Sequence, residues 1–304
     1  MVAPVTPAEF DGDRPAGEVP VETLVTATRI GFLGDLHGDL EHVLRVSRTM
    51  EARSISIVVV LGDFGFIWPR ENTVNILNKL SKRLADRRQT LYFVDGNHED
   101  FGRVLKFPIG RDGLRWIRPN LAHIPRGYRT RLVAGRTLAA LGGANSIDFA
   151  HRLEGHSWWA EEAITDADLT ALGDEPADLL IGHDAPMHLP ALDRWLADTD
   201  RFWPEAGRNY SAAGRAVFHR GFMQVRPKLY VGGHYHRHID ETVTYGAGET
   251  RFVARVVILD KNGSKSAISQ GILDVPTLQL TFFGRDDSAP AAPPTPDTRL
   301  DNAG

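Results

Sequence analysis

Apolar positions in the chain fall into two repeating patterns. Arg29-Ile-Gly-Phe-Leu33, Ile55-Ser-Ile-Val-Val-Val-Leu61 and Thr90-Leu-Tyr-Phe-Val94 are short apolar runs, each stopped by Gly-Asp or Asp-Gly. Runs of this length and β-branched content predict strands covered on both faces. Between the first two, Leu40, Val43, Leu44 and Ser47 recur at helical spacing, and Asp39 and Glu41 stand in the first turn, where the helix dipole favours negative charge. Val74, Leu77, Leu80 and Leu84 predict a second helix over 71–87. The first third of the chain therefore reads as strand, loop, helix, repeated.

From 114 to 142 the pattern changes to shorter alternating strands with Gly127 and Gly135 at turns. Further strands are predicted over 178–181 and 228–231, a helix over 211–222, and two alternating strands over 241–245 and 251–259. This mixture predicts an α/β fold with a two-sheet core and helices outside. Residues 1–26 and 285–304 are rich in Pro and acid and poor in apolar side chains, so flexible tails are expected around a single domain over 27–284. No repeat of solenoid or propeller length recurs.

Composition narrows the function more by exclusion than by signal. Of 304 residues, 42% are hydrophobic and 24% charged, an ordinary globular balance. A formal net charge of -4 gives no global attraction to nucleic acid or an anionic membrane. Cysteine is absent, which excludes disulfides, thiolate-ligated zinc, iron–sulfur clusters and thiol nucleophiles, so any metal must take N and O ligands. The first 25 residues hold no apolar signal segment, and no stretch reaches the length of a membrane span; a soluble cytoplasmic protein is the expectation.

Several predicted strands end in a glycine followed by polar residues: Gly34-Asp35-Leu36-His37-Gly38-Asp39, Gly62-Asp63-Phe64-Gly65, Gly96-Asn97-His98-Glu99, Gly182-His183-Asp184 and Gly233-His234-Tyr235-His236. In α/β proteins, loops at the carboxyl ends of strands converge on one crevice. Imidazole and carboxylate donors suit Mn, Fe, Zn or Ni. Each loop alone reads most simply as a turn or a core histidine; five in this order do not.

The series G-D-x-H-G, G-D, G-N-H-E, G-H and G-H-x-H, running from residue 34 to 236, resembles the calcineurin-like metallophosphoesterase superfamily. The resemblance implies a four-layer α/β/β/α sandwich with a dinuclear metal centre at the sheet edges. By position, Asp35, His37 and His236 would hold one divalent ion with Asp63 bridging, and Asn97, His183 and His234 would hold the second. Manganese is the first expectation for the metal, with Fe, Zn and Ni as alternatives. His98 would be the histidine that is not a ligand and that hydrogen-bonds the phosphate or protonates the leaving oxygen. The expected reaction is hydrolysis of phosphodiesters of cyclic-nucleotide or nucleic-acid type, with phosphomonoesters as a further class, by attack of a metal-bridging hydroxide.

Two more residues are singled out as catalytic. Arg152 has the planar fork that clamps phosphate oxygens. Asp39 is read either as steering His98 or as an ordinary helix-opening acid. Asp95, Asp184, Glu99 and His238 are read as loop, capping or surface residues. Residues 101–136 carry Arg103, Lys106, Arg111, Arg115, Arg118, Arg126, Arg129, Arg131 and Arg136 against Asp112, interleaved with Phe101, Phe107, Trp116 and Tyr128. That composition fits a surface for nucleotide or nucleic-acid phosphates, and equally the wet face of a hairpin. Trp158 and Trp159 fit either core filling or a substrate wall. A Ser/Thr phosphoprotein phosphatase is the nearest catalytic alternative, but those enzymes follow the second block with Arg-Gly where this chain has Phe64-Gly65. A scaffold that keeps the fold without catalysis is the alternative from another class.

Overall fold

The computed structural model describes residues 22–68, 72–262 and 267–283. The chain begins with β1 (Arg29–Leu33), α1 (Leu40–Ala52), β2 (Ile57–Leu61), α2 (Thr73–Asp86) and β3 (Thr90–Val94). A single helical turn, α3 (Phe101–Val104), then leads into β4 (Arg115–Arg118) and β5 (Leu121–His123). The second half runs β6 (Arg129–Arg131), β7 (Thr137–Leu141), α4 (Asp166–Leu172), β8 (Leu179–Gly182), α5 (Pro190–Thr199), α6 (Glu205–Val225) and β9 (Leu229–Gly232). It closes with β10 (Ile239–Tyr245), β11 (Phe252–Ile258), β12 (Gln270–Asp274) and β13 (Gln279–Phe282).

The strands form two mixed sheets, ordered β13-β12-β1-β2-β3-β5-β4 and β10-β11-β9-β8-β7-β6. β1, β2 and β3 are mutually parallel neighbours, in register Gly31↔Val58 and Ile57↔Thr90. β7, β8 and β9 are likewise parallel, with Leu138↔Leu179 and Leu179↔Leu229. Every residue of β2 and β3 is buried, because both faces of the sheet are covered. One face, carrying Phe32, Val59, Leu61 and Val94, packs against Leu138, Ile181, Val231 and Val257 of the other sheet. The opposite face, with Val58, Val60 and Phe93, packs against Val43, Val46, Leu77 and Leu80 of α1 and α2. The outer face of the second sheet, with Leu141, Leu180 and Tyr230, is covered by Leu169, Leu192, Phe218 and Phe222 of α4, α5 and α6. Helices, sheet, sheet and helices are thus the four layers expected. Each fully buried Leu, Ile, Val or Phe in them contributes about 1.5–3 kcal/mol.

Local differences from the sequence reading have simple causes. Val74 points outward, 36% exposed, because Thr73 and Leu77 face the sheet instead. α6 runs 21 residues, well beyond the predicted core, and starts right after Pro204, which is compatible with a helix entrance but not its interior. β12 and β13 were not predicted; β12 pairs antiparallel with β1, Arg29↔Asp274. Leu24 is 2% exposed in the core between the sheets, so the packed body begins inside the stretch expected as a tail. The rest of that stretch, residues 1–21, and the tail expected over 285–304 lie outside the described residues. No helix among the described residues is long and apolar enough to cross a membrane.

Candidate metal centre

The loops following β1, β2 and β3 of one sheet meet those following β8 and β9 of the other. Close approach makes this possible. At Gly62, φ is +92°, and a Cβ would overlap the His183 imidazole; at Gly96 a Cβ would overlap the Asp63 carboxylate. The loops also bond to each other: the Leu36 and His37 amides donate to the Asp63 carbonyl at 3.1 and 2.8 Å. His37, Asp63, His234 and His236 all hold positive φ, between 45° and 73°, a strained conformation for residues with a Cβ that only surrounding structure maintains.

The structure brings all seven expected ligands to this edge. Donor atoms of Asp35, His37, Asp63 and His236 lie within 4.8 Å of one another. His37 Nε2 and His236 Nε2 are 3.0 Å apart, and His236 Nε2 is 3.2 Å from Asp35 Oδ2. On the other side of Asp63, His183 Nε2 is 3.2 Å from Asn97 Oδ1 and 3.3 Å from Asp63 Oδ1, and the His183 and His234 ring centroids are 5.0 Å apart. Asp63 divides the two groups: Oδ2 faces His37 at 3.7 Å while Oδ1 faces His183.

The donor set fits cations on several counts. Asp35 Oδ2 is buried and faces the ring nitrogens of His236 and His37 at 3.2 and 3.9 Å without a well-formed hydrogen bond, a costly state for a carboxylate oxygen unless a positive charge accompanies it. The other oxygen, Oδ1, accepts the His234 amide at 3.0 Å. His183 donates Nδ1–H to the Leu61 carbonyl at 2.7 Å, which turns Nε2 into the cluster, where it would serve a metal on giving up its proton, the usual way a protein orients a histidine ligand. Burial opposes ionisation of Asp63, but His183 and His98 outweigh it and hold the carboxyl well below its usual range. Burial likewise opposes a charge on His183, yet Asp63 and Asp35 push it up to about 10. Burial and the neighbouring His183 push His234 down to about 3.

A cleft of about 310 Å³ opens over this cluster. His98 lies on its polar side, its ring edge-on to His37 with centroids 4.9 Å apart. Arg152 reaches His98 Nε2 at 2.8 Å with Nη2 and is braced by Asp148 at 2.8 Å. Since a guanidinium only donates, His98 Nε2 accepts here. Burial lowers the His98 pKa; Asp63 opposes that shift, and Arg152 and His37 add to it. The cleft also has apolar lining from Ile147, Trp195, Leu196 and Trp203, with Thr199 and Asp200 between the last two. Trp195 and Trp203, which sequence reading missed, line the cleft from α5 and the turn after it; their only signal is two tryptophans near the end of an amphipathic stretch.

Other expectations need correction. Asp39 does not steer His98. Its Oδ1 caps α1 by accepting the His42 amide at 2.9 Å, and its Oδ2 accepts Asn262 Nδ2 at 2.6 Å, so both oxygens are occupied elsewhere. Glu99 does not cap a following helix: fully buried, it accepts the Phe64 amide at 2.7 Å and the Gly65 amide at 3.4 Å, holding the turn after Asp63. Most of the basic side chains of 101–136, a segment that fitted either a phosphate surface or the wet face of a hairpin, are engaged within the fold. Arg115, Arg126, Arg129 and Arg136 donate to backbone carbonyls of Phe107, Ala163, Leu172 and Pro276, and Arg103 and Arg118 pair with Asp100 and Asn78. Phe101, Phe107 and Trp116 are core residues, at most 5% exposed. Trp159 is buried and packs on Trp68, centroids 5.3 Å apart, while Trp158 packs near Phe149 and Tyr210. Those two tryptophans fill structure behind the cleft rather than line it.

Residues 28–238 match the model of the calcineurin-like phosphoesterase family. The chain belongs to that family, a class of metal-dependent phosphoester hydrolases. Among solved structures, it is similar to TT1561 of Thermus thermophilus, at 14% identity and a TM-score of 0.45, covering 84% of this chain and 98% of that one. A second solved structure shares the fold at 11% identity and a TM-score of 0.50, again over 84% of this chain and 98% of its own. No curated protein matches the chain in sequence.

Proposed function

We propose that the chain is a two-metal phosphoesterase that prefers phosphodiesters carrying a flat apolar group, with phosphomonoesters as poorer substrates. The observation that supports this most is the split of Asp63, whose two oxygens face separate N and O donor groups, beneath a cleft that also holds His98 and Arg152. Asp35, His37 and His236 would hold one divalent cation, Asn97, His183 and His234 the other, with Asp63 between. Two such ions supply charge neutralisation at the phosphoryl oxygens and a water activated at neutral pH. Mn, Fe, Zn and Ni all suit the donors, with manganese the first choice.

The remaining work falls to side chains. Arg152 presents its fork to phosphate oxygens, with Asp148 holding it in place. His98 Nε2, which accepts from Arg152 before substrate binds, would take up a proton from solvent as the negative phosphate arrives, donate it in a hydrogen bond to the phosphate in place of the bond to Arg152, and pass it to the leaving oxygen. The Trp195 and Trp203 wall favours an ester with a ring beside the phosphorus, because aromatic side chains stack on any π face. Serine/threonine phosphopeptides lack that group, and Phe64 stacks on Phe93 with centroids 4.4 Å apart, buried in the place where the phosphoprotein phosphatases carry arginine. Turnover of 2',3'- and 3',5'-cyclic nucleotides beside a phosphopeptide tests the reading. A higher kcat/KM for a cyclic nucleotide supports it, and a strong phosphopeptide preference overturns it.

A further inference from the structure

A line of buried polar groups ends on one of the proposed ligands. Glu162 is 0% exposed, Ser146 1% and Asn97 4%. Glu162 Oε1 accepts the Ser146 amide at 2.6 Å, and Oε2 accepts the Ser146 hydroxyl at 2.6 Å. Ser146 Oγ in turn accepts Asn97 Nδ2 at 3.0 Å.

The polarity of this line follows from what each group can do. A carboxylate only accepts, so the single hydroxyl proton of Ser146 goes to Glu162. Ser146 then turns a lone pair toward Asn97 and takes an N–H from it. With its nitrogen committed there, the amide directs Oδ1 toward His183 Nε2, 3.2 Å away. The two ends of an asparagine amide are nearly identical in shape, so packing alone does not choose between them. Only the oxygen can ligate a cation; a flipped amide would turn its N–H groups on the metal. Reversing the line would require a proton on Glu162. Burial holds that carboxyl above its usual range, and the Ser146 hydroxyl and amide oppose part of the rise; the two short bonds that Ser146 donates to it are what favour the ionised, accepting form.

We propose that Glu162 and Ser146 are positioning residues that lock the Asn97 amide with its oxygen toward the metal cluster, and so set the affinity of the cation position shared with His183 and His234. This rests on the two-metal reading above. The same stretch of chain carries Asp148 and Arg152, so one segment orients a ligand and holds the phosphate clamp. It is anchored to α6 by Asn145 Nδ2, which donates to the Tyr210 carbonyl at 2.9 Å.

Metal affinity, measured by calorimetric titration of stripped, full-length protein with Mn²⁺ and with Zn²⁺, tests the proposal without reference to turnover. Wild type should take up two equivalents. Ser146→Ala and the near-isosteric Glu162→Gln should keep one equivalent and bind the other about 10- to 100-fold more weakly, as loss of a group that orients a ligand does. Circular dichroism and melting curves show that each variant is folded, and either one suffices if the other is not. Asn97→Asp supplies the decisive comparison, because a carboxylate offers oxygen at both ends. Combined with Asn97→Asp, Ser146→Ala should change the second affinity by less than about twofold, the pair being coupled through orientation alone. Folded Ser146→Ala protein that binds both equivalents as tightly as wild type overturns the proposal. So does an equal loss with and without Asn97→Asp, which would mean a general packing defect. A wild type that takes up only one equivalent would overturn the two-metal reading itself, and is distinguishable from either.

Discussion

Asp63 holds its place between the two donor groups at a φ of 47°, and three of the histidines beside it are similarly strained. Such conformations cost about 1–3 kcal/mol each, which a buried cluster of hydrogen-bonded loops sustains. The residues proposed as ligands were legible in the sequence because each lies in a loop that opens with a glycine after a strand, both local signals. The residues that serve them were not, because their partners are distant in the chain: Glu99 bonds to Phe64, and Glu162 to Ser146. Asp39 shows the reverse error, in which a position beside a ligand loop suggested chemistry while its carboxylate was taken by a helix cap and by Asn262. At this scale the sharpest prediction concerns His98, which touches the cleft but is not placed among the ligands. His98→Ala should leave metal content unchanged and lower kcat by about 10²–10⁴-fold, the usual range for a general acid, with the largest loss for poor leaving groups. Equal rates for wild type and variant on an alkyl ester would remove the acid role.

Among the elements, the parallel strands were read almost to the residue: β1 and β3 match the predicted 29–33 and 90–94. Apolar runs covered on both faces announce themselves. The basic segment over 101–136 was legible only as composition. Its arginines find carbonyls and carboxylates tens of residues away, as Arg126 does with Asp95, Ala163 and Asp168, and a charge count along the chain cannot see such partners. Arg126 is the tie between the end of β3 and the turn before α4. Its Nη2 lies 2.7 Å from Asp95 Oδ2, with side chains only 10% and 2% exposed. Burial raises the Asp95 carboxyl, but Arg126 and His123 outweigh it and hold it far below its usual range. Removing the cation leaves a buried carboxylate with His123 Nε2, 3.0 Å from Oδ1, beside it but without its guanidinium, so Arg126→Leu should cost about 3–5 kcal/mol in urea unfolding. A loss below about 1 kcal/mol, the size expected of a surface pair, would show that the pair is worth no more than an exposed one.

Taken whole, the molecule is two sheets whose parallel strands send their carboxyl ends to one edge, and that edge collects negative oxygens and imidazoles at short range. Such a cluster should be under strain without cations. Adding Mn²⁺ or Zn²⁺ to stripped protein at about 100 times its dissociation constant should stabilise the fold by about 2.7 kcal/mol per site. For a body of this size that is a rise in Tm of about 5–10 °C, readable by calorimetry; no rise with any of Mn, Fe, Zn or Ni would mean that the cluster does not bind them. The reaction proposed for this edge is hydrolysis of phosphodiesters with metal held around Asp63. The most direct measurement is turnover of bis-p-nitrophenyl phosphate and p-nitrophenyl phosphate by stripped protein reloaded with each metal, beside Asp63→Ala. Turnover should depend on metal, run faster on the diester and disappear in Asp63→Ala. Folded wild-type protein that is silent with every metal, or an Asp63→Ala variant as active as wild type, would contradict it.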